Sequence, residues 1–152
     1  MRMHTSQHLL SAIMKDTYNA NTVGNQIYPD HARMDFSPLS RDDLDVDDVL
    51  KAFEEHVKTG RAVKVYFLAR SELLSEPKVR VRLDLLPENV ETLRVVEIDG
   101  YDICPCAGTH VRSLSELAPI EITKIKSKGQ GRVRLVYRFK EGQVQASRAP
   151  KA

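Results

Sequence analysis

At 152 residues, with 41% hydrophobic and 29% charged side chains, the chain suits one domain with a real core and is too short for two ordinary ones. That balance excludes a disordered polymer, and no apolar run approaches the ~20 residues a membrane-spanning helix needs. The N-terminus lacks the long apolar stretch of a secretory signal, because His4, Gln7, His8, Lys15 and Asp16 interrupt it. The net charge of +2 hides an asymmetry: Asp30 to Glu55 holds nine acids against three bases, and Lys124 to the end holds nine bases against one acid. A C-terminal part so basic fits a polyanion such as a phosphate backbone, or else a solvated strand pair with a basic tail.

In chain order, the first predicted element is an amphipathic helix from about Thr5 to Ala20, with Leu9, Leu10 and Ile13 at helical spacing and "NAN" and a glycine closing it. Residues Thr22 to Phe36 read as a hairpin turning at "PDH". A second helix is predicted over Asp43 to Thr59, from Ser/Asp cap candidates to Gly60, with Leu50, Phe53 and Val57 on its apolar face. "AVKVYFLA" alternates as a strand. The stretch Ser71 to Glu91 is less legible, although "KVRVRLDLL" alternates between Pro77 and Pro87. "ETLRVVEID" with "GYDI" reads as a strand and turn, and "PIEITKIKSKGQGRVRLVYRF" as two strands joined at "SKGQG". Two main helices with hairpin-linked strands predict an α+β domain with a mainly antiparallel sheet over residues 1–140. Residues 141–152 have little to bury and read as a flexible basic tail.

Two features carry chemistry. His4 and His8 are four apart on the first helix, so both imidazoles reach one side of it. "HTSQH" lacks the glutamate that a zinc-protease helix places after its first His. "CPCAGTHV" supplies Cys106 and His110, again four apart, with small residues between them. Three His and one Cys form a nitrogen-and-thiolate set suited to one Zn2+ ion. The halves lie nearly a chain length apart, so the domain must fold before the site exists. Such a site suits catalysis, and a structural clamp is the alternative. Cys104 and Cys106 are too close for an ordinary disulfide, which points to a reducing, cytoplasmic setting. Cys104 itself reads as a partly buried thiol or a bystander, and His31 and His56 as solvated.

Together "HTSQHLLSAI" and "CAGTHV" resemble the HxxxH and CxxxH halves of the alanyl-tRNA editing domain, found within alanyl-tRNA synthetase and in free-standing AlaX proteins. "IYPDHARMDFS" is similar to that family's stretch after the first helix, and "GTHVRSLSELAPIEITKIKSKGQGRVRLVYRF" to its closing segment. The resemblance covers about Met3 to Phe139. It implies the fold of the threonyl/alanyl-tRNA synthetase second additional domain and, since the chain starts on the zinc helix, the short AlaX type. Related threonyl editing domains carry a proline before the last His, and Thr109 here favours the alanine system.

The resemblance implies trans-editing: zinc-dependent hydrolysis of mischarged seryl-tRNA(Ala), with glycyl-tRNA(Ala) a second substrate. A non-catalytic, zinc-stabilised RNA-binding module is the alternative. The implied ligands are His4, His8, Cys106 and His110, and the implied serine-reading residue is Thr22, at the start of the first strand. By charge and location, Arg33, Lys126, Lys128, Arg132 and Arg134 are candidate tRNA contacts, with Arg33 alternatively a partner of Asp35. The family's acidic residue two positions before the ligand Cys is replaced by Cys104, the nearest acid being Asp102, so no general base is named.

Overall fold

The computed structural model describes residues 1–80 and 91–140. Helix α1 spans Arg2–Tyr18 and ends at Asn19, whose left-handed φ of 54° lets its N–H return to the last turn. The hairpin follows as β1 (Asn21–Ile27) and β2 (Ala32–Ser37). Helix α2 (Val46–Thr59) starts later than predicted, because Asp45 is its N-cap and accepts from the Asp48 N–H. A 3-10 turn at Arg41–Asp43 occupies the preceding residues, and Gly60 closes α2 at φ 64°. Strand β3 (Val63–Ala69) leads into a short helix α3 (Arg70–Ser75), which the sequence analysis does not anticipate. Strands β4 (Thr92–Ile98), β5 (Asp102–Pro105), β6 (Ile120–Ser127) and β7 (Val133–Phe139) complete the fold.

The α+β class and the antiparallel pairing agree with the sequence, but the strands form two sheets and not one. The first has the order β1-β2-β7-β6 and the second β3-β4-β5. Of the predicted strand around "KVRVRLDLL", Val79 forms a parallel bridge to Ile103. Residues 81–90 of that prediction, and the tail 141–152, lie outside the described residues.

The four-stranded sheet packs its inner face, with Met34, Phe36, Leu135 and Tyr137, against Leu9, Leu10, Ile13 and Met14 of α1 and Val49 and Phe53 of α2. Burial of these apolar side chains is the main stabilising term. Alternation puts Arg33 and Asp35 on the sheet's other face. There Asp35 accepts from Arg134 Nε (2.8 Å) and Arg132 Nη2 (2.6 Å), both reaching over from the β7 side. Gly24, opposite Asp35 in β1, leaves room for the Arg132 guanidinium: a Cβ there would lie 3.2 Å from Nη2. Arg33 is therefore not the partner of Asp35. No helix among the described residues is long and apolar enough to cross a membrane.

Asp35 is only 3% exposed, and hydrogen bonds from Arg134 and Arg132 hold its carboxyl below the usual carboxylate value against the opposing effect of burial. A depressed folded-state value stabilises the fold at pH above the ordinary carboxylate range, and this contribution disappears as pH falls through the lowered value. Asp35→Asn is expected to cost about 1–3 kcal/mol near neutrality. In urea titrations at several pH values, the gap between wild type and variant should close on acidification.

Candidate metal centre

The first two turns of α1 are polar inside. Thr5, Ser6, Gln7, His8 and Ser11 are all buried, and most of their polar atoms have named partners. Ser6 Oγ donates to Met3 O (2.6 Å) and pairs with the Tyr137 hydroxyl (2.9 Å), tying the helix to the middle of the sheet. This docking sets the height of His4 and His8 above β5, which runs into Cys106.

The two ligand halves predicted from sequence meet there. One ligand atom from each of His4, His8, Cys106 and His110 lies within 4.8 Å of the other three. The His4–His110 and His8–His110 ring centroids are 4.4 and 4.5 Å apart. Cys106 Sγ lies 3.4 Å from His4 Nε2 and 3.5 Å from His110 Nε2. These spacings match the edges of a tetrahedron with metal–ligand bonds of about 2.0–2.3 Å, which are roughly 3.3–3.7 Å long. The donor set suits zinc in number and kind, and its two sulfur–nitrogen spacings fit such an ion.

Three residues around this set are not evident as functional from the sequence. Thr5 is the first. Its hydroxyl donates to Met1 O (3.1 Å) and accepts the Val111 N–H (3.1 Å), so it also accepts from His110 Nδ1 (3.0 Å). That bond places the His110 proton on Nδ1 and leaves the Nε2 lone pair towards Cys106. Gly108 is the second: a Cβ there would fall on the His4 ring, while its N–H donates to Cys106 Sγ (3.3 Å). Gln7 is the third, and its Nε2 donates to Ser11 Oγ (2.9 Å), which in turn pairs with Thr22 Oγ1 (2.6 Å). A Thr beside a His, or a small residue in a loop, carries no distinguishing sequence signal.

Electrostatics favour neutral imidazoles. Burial is the largest influence on all three His ligands and lowers their basicity, with neighbouring cations adding to the effect; His110 is brought down to about 4. His8 is 3% exposed, and its Nδ1 has no hydrogen-bond partner among the described residues. Neutral, desolvated nitrogens beside a thiol suit cation binding.

His4, His8 and Cys106 open onto a cleft of about 470 Å3. One wall is α1 and β1, with Gln7, Lys15, Asn21, Thr22 and Asn25; the other carries Val79, Arg80, Cys104 and Pro105. Thr22 thus faces the same space as His4 and His8. Cys104 is outside the four-donor set, and burial pushes its thiol up to about 11.

The basic candidates lie elsewhere. Arg33, Lys126, Arg132 and Arg134 share the outer face of the first sheet, with Lys126 opposite Arg134 and Arg134 opposite Asp35. Lys128 sits in the β6–β7 turn, its N–H bonded to Arg132 O. His31 and His56 are not simply solvated: His31 stacks on Tyr28 and bonds Asp30, and His56 stacks on Tyr101.

Replacing Thr5 by Val keeps the shape and removes the hydroxyl. Zinc affinity, measured by competition with a chromophoric chelator, should fall about 10–100-fold. Gly108→Ala should do the same by displacing His4, with little change in the urea midpoint of the metal-free protein.

The chain matches the threonyl and alanyl tRNA synthetase second additional domain over residues 93–136. It is 33% identical over 140 residues to the alanyl-tRNA editing protein AlaX-M of Saccharolobus solfataricus, covering 92% of this chain and 58% of that protein. Against AlaX-M of Methanosarcina acetivorans it is 31% identical, covering 90% and 56%. The alanine–tRNA ligase of Cenarchaeum symbiosum is 35% identical over 144 residues, with 90% and 15% covered. The chain thus spans somewhat more than half the length of the AlaX-M relatives. Both ligand halves meet on a scaffold that carries this synthetase additional domain and is similar, over about nine-tenths of its own length, to alanyl-tRNA editing proteins.

Proposed function

We propose that this chain is a zinc-dependent trans-editing deacylase that hydrolyses seryl-tRNA(Ala), and glycyl-tRNA(Ala) as a second substrate, to free amino acid and tRNA. The observation that supports this reading is the cluster of His4, His8, Cys106 and His110, three of which line the same cleft as Thr22. When bound, zinc supplies Lewis acidity towards the ester carbonyl. The chain's own residues select and orient the substrate.

Selection follows from hydrogen-bonding capacity. Ser11 Oγ and Thr22 Oγ1 share one proton across 2.6 Å, and Gln7 donates to Ser11. The Thr22 hydroxyl keeps capacity for one more partner, which a serine hydroxyl satisfies and an alanine methyl does not. A synthetase pocket shaped for alanine cannot sterically reject glycine, and discriminates against one added hydroxyl only ~100-fold. A second site that reads this hydroxyl supplies the missing discrimination.

The polyanion is held on the outer face of the first sheet. Arg132 and Arg134 share the single carboxylate of Asp35, so with Arg33 and Lys126 the group carries four positive charges against one negative. Strand β1 is the edge of this sheet and also a wall of the cleft, so an RNA strand crossing β1 reaches both surfaces.

The test is a deacylation series with seryl-, glycyl- and alanyl-tRNA(Ala), with and without chelator. Seryl ester should be cleaved and alanyl ester spared, and chelation should abolish turnover. Tight tRNA binding without hydrolysis would instead establish the non-catalytic RNA-binding module. Thr22→Val should lower kcat/KM for the seryl ester about tenfold, the value of one hydrogen bond. Lys126→Ala should reduce the slope of log affinity against log salt by roughly one.

A further inference from the structure

Arg80 is a buried cation on the cleft wall opposite Thr22 for which the reading above has no use. Main-chain bonds fix its segment along β5: the Arg80 N–H donates to Ile103 O (3.0 Å), and Val79 bridges to Ile103. Its side chain then meets Asp102 bidentately, Nε to Oδ1 at 2.7 Å and Nη2 to Oδ2 at 3.1 Å. The two side chains are only 12% and 4% exposed. Strand alternation puts Asp102 and Cys104 on one side of the same segment, with Cys106 next in that series just past the end of β5. The bidentate carboxylate occupies one edge of the planar group and uses two of its five N–H donors, so the remaining protons on Nη1 and Nη2 are what Arg80 has for the cleft that it lines with His4, His8 and Cys106.

A buried ion pair contributes little net stability compared with well-packed apolar side chains. A guanidinium locked by a carboxylate is, however, a preorganised donor that needs no reorientation when negative charge develops nearby. Of the groups on an aminoacyl-tRNA, the α-ammonium is repelled by this cation, and the nearest phosphate lies a full ribose from the ester. The carbonyl oxygen is the group that both enters the ligand end of the cleft and gains negative charge.

We propose that Arg80 is a catalytic residue that donates a hydrogen bond to the carbonyl oxygen of the aminoacyl ester and stabilises the charge on it, with Asp102 positioning the guanidinium. Water oxygen bonds to the carbonyl carbon, and the electron pair moves onto the carbonyl oxygen beside Arg80. Collapse breaks the bond from that carbon to the ribose oxygen. The attacking water gives up one proton and the ribose oxygen takes up one, so that one water is consumed and the products are the free amino acid and tRNA.

This inference rests on the deacylase reading, and its test separates the two. Zinc-loaded wild type, Arg80→Ala and Arg80→Lys are compared on seryl-tRNA(Ala). In Arg80→Ala, kcat should fall about 10²–10³-fold, with KM, tRNA affinity and zinc content unchanged within twofold. Millimolar guanidinium chloride, but not sodium chloride, should restore kcat saturably in Arg80→Ala and leave wild type unaffected. Arg80→Lys keeps the charge without the bidentate fit to Asp102, so its kcat should fall between the two; it carries the kcat and KM comparison if the alanine variant does not fold. Unchanged kcat, a rise in KM alone, or a loss of rate that tracks lost zinc would overturn the role of Arg80 while leaving the deacylase reading intact. An inactive wild type would overturn both.

Discussion

The Thr5 hydroxyl is the joint on which the site depends. It sits on α1 beside the first ligand, yet two of its three hydrogen bonds go to His110 and Val111, more than a hundred residues away. With a single oxygen it fixes the distance between the ligand halves and sets which nitrogen of His110 is available. Ser6 performs the same service one residue on, joining α1 to Tyr137 in the sheet. Because consecutive residues of a helix point about 100° apart, Thr5 and Ser6 anchor α1 in two directions at once. His4 and His8 are left to face the third.

This anchoring explains why a helix at the centre of the core carries so many polar residues. Thr5, Ser6, Gln7, His8 and Ser11 are buried where Leu or Ala would fill space at no desolvation penalty. Thr5, Ser6 and Ser11 each reach a partner outside the helix and Gln7 bonds Ser11, so much of the cost is offset by bonds that also specify position. Downstream on the same helix, Leu9, Leu10, Ile13 and Met14 supply the ordinary apolar burial. The N-terminal half of α1 positions chemistry and the C-terminal half holds the fold. Residues with a direct part in the site crowd into about two turns.

Legibility in the sequence followed the range of the interactions. Alternation in "AVKVYFLA" and "RVRLVYRF" revealed strands because a strand's faces are set locally, and the end of α2 was visible because Gly60 caps it locally. Both ligand pairs were readable for the same reason, each having internal four-residue spacing. Helix α3 was not, since six residues with only Leu73 buried leave no periodic trace. Nor was the division into two sheets, which depends on β2 pairing with β7 about a hundred positions later. Asp35 lies two residues from Arg33 yet pairs with Arg132 and Arg134, and Arg80 finds Asp102 across a fold that spacing does not describe.

The same long-range joint dictates an order of events during synthesis. As the chain leaves the ribosome, α1 emerges well ahead of β5, carrying two imidazoles and a polar face with no partners yet. Cys106 and His110 follow a hundred residues later, and the sheet that receives Ser6 closes only once Tyr137 has emerged. Such non-local closure comes late and is intrinsically slow. A divalent ion that meets the nascent protein early finds two nitrogens, and its full donor set exists only once residues as far as Tyr137 have folded around α1. A metal held by these four residues would report that both ligand halves have come together, unlike in small zinc modules, where the ion nucleates the fold.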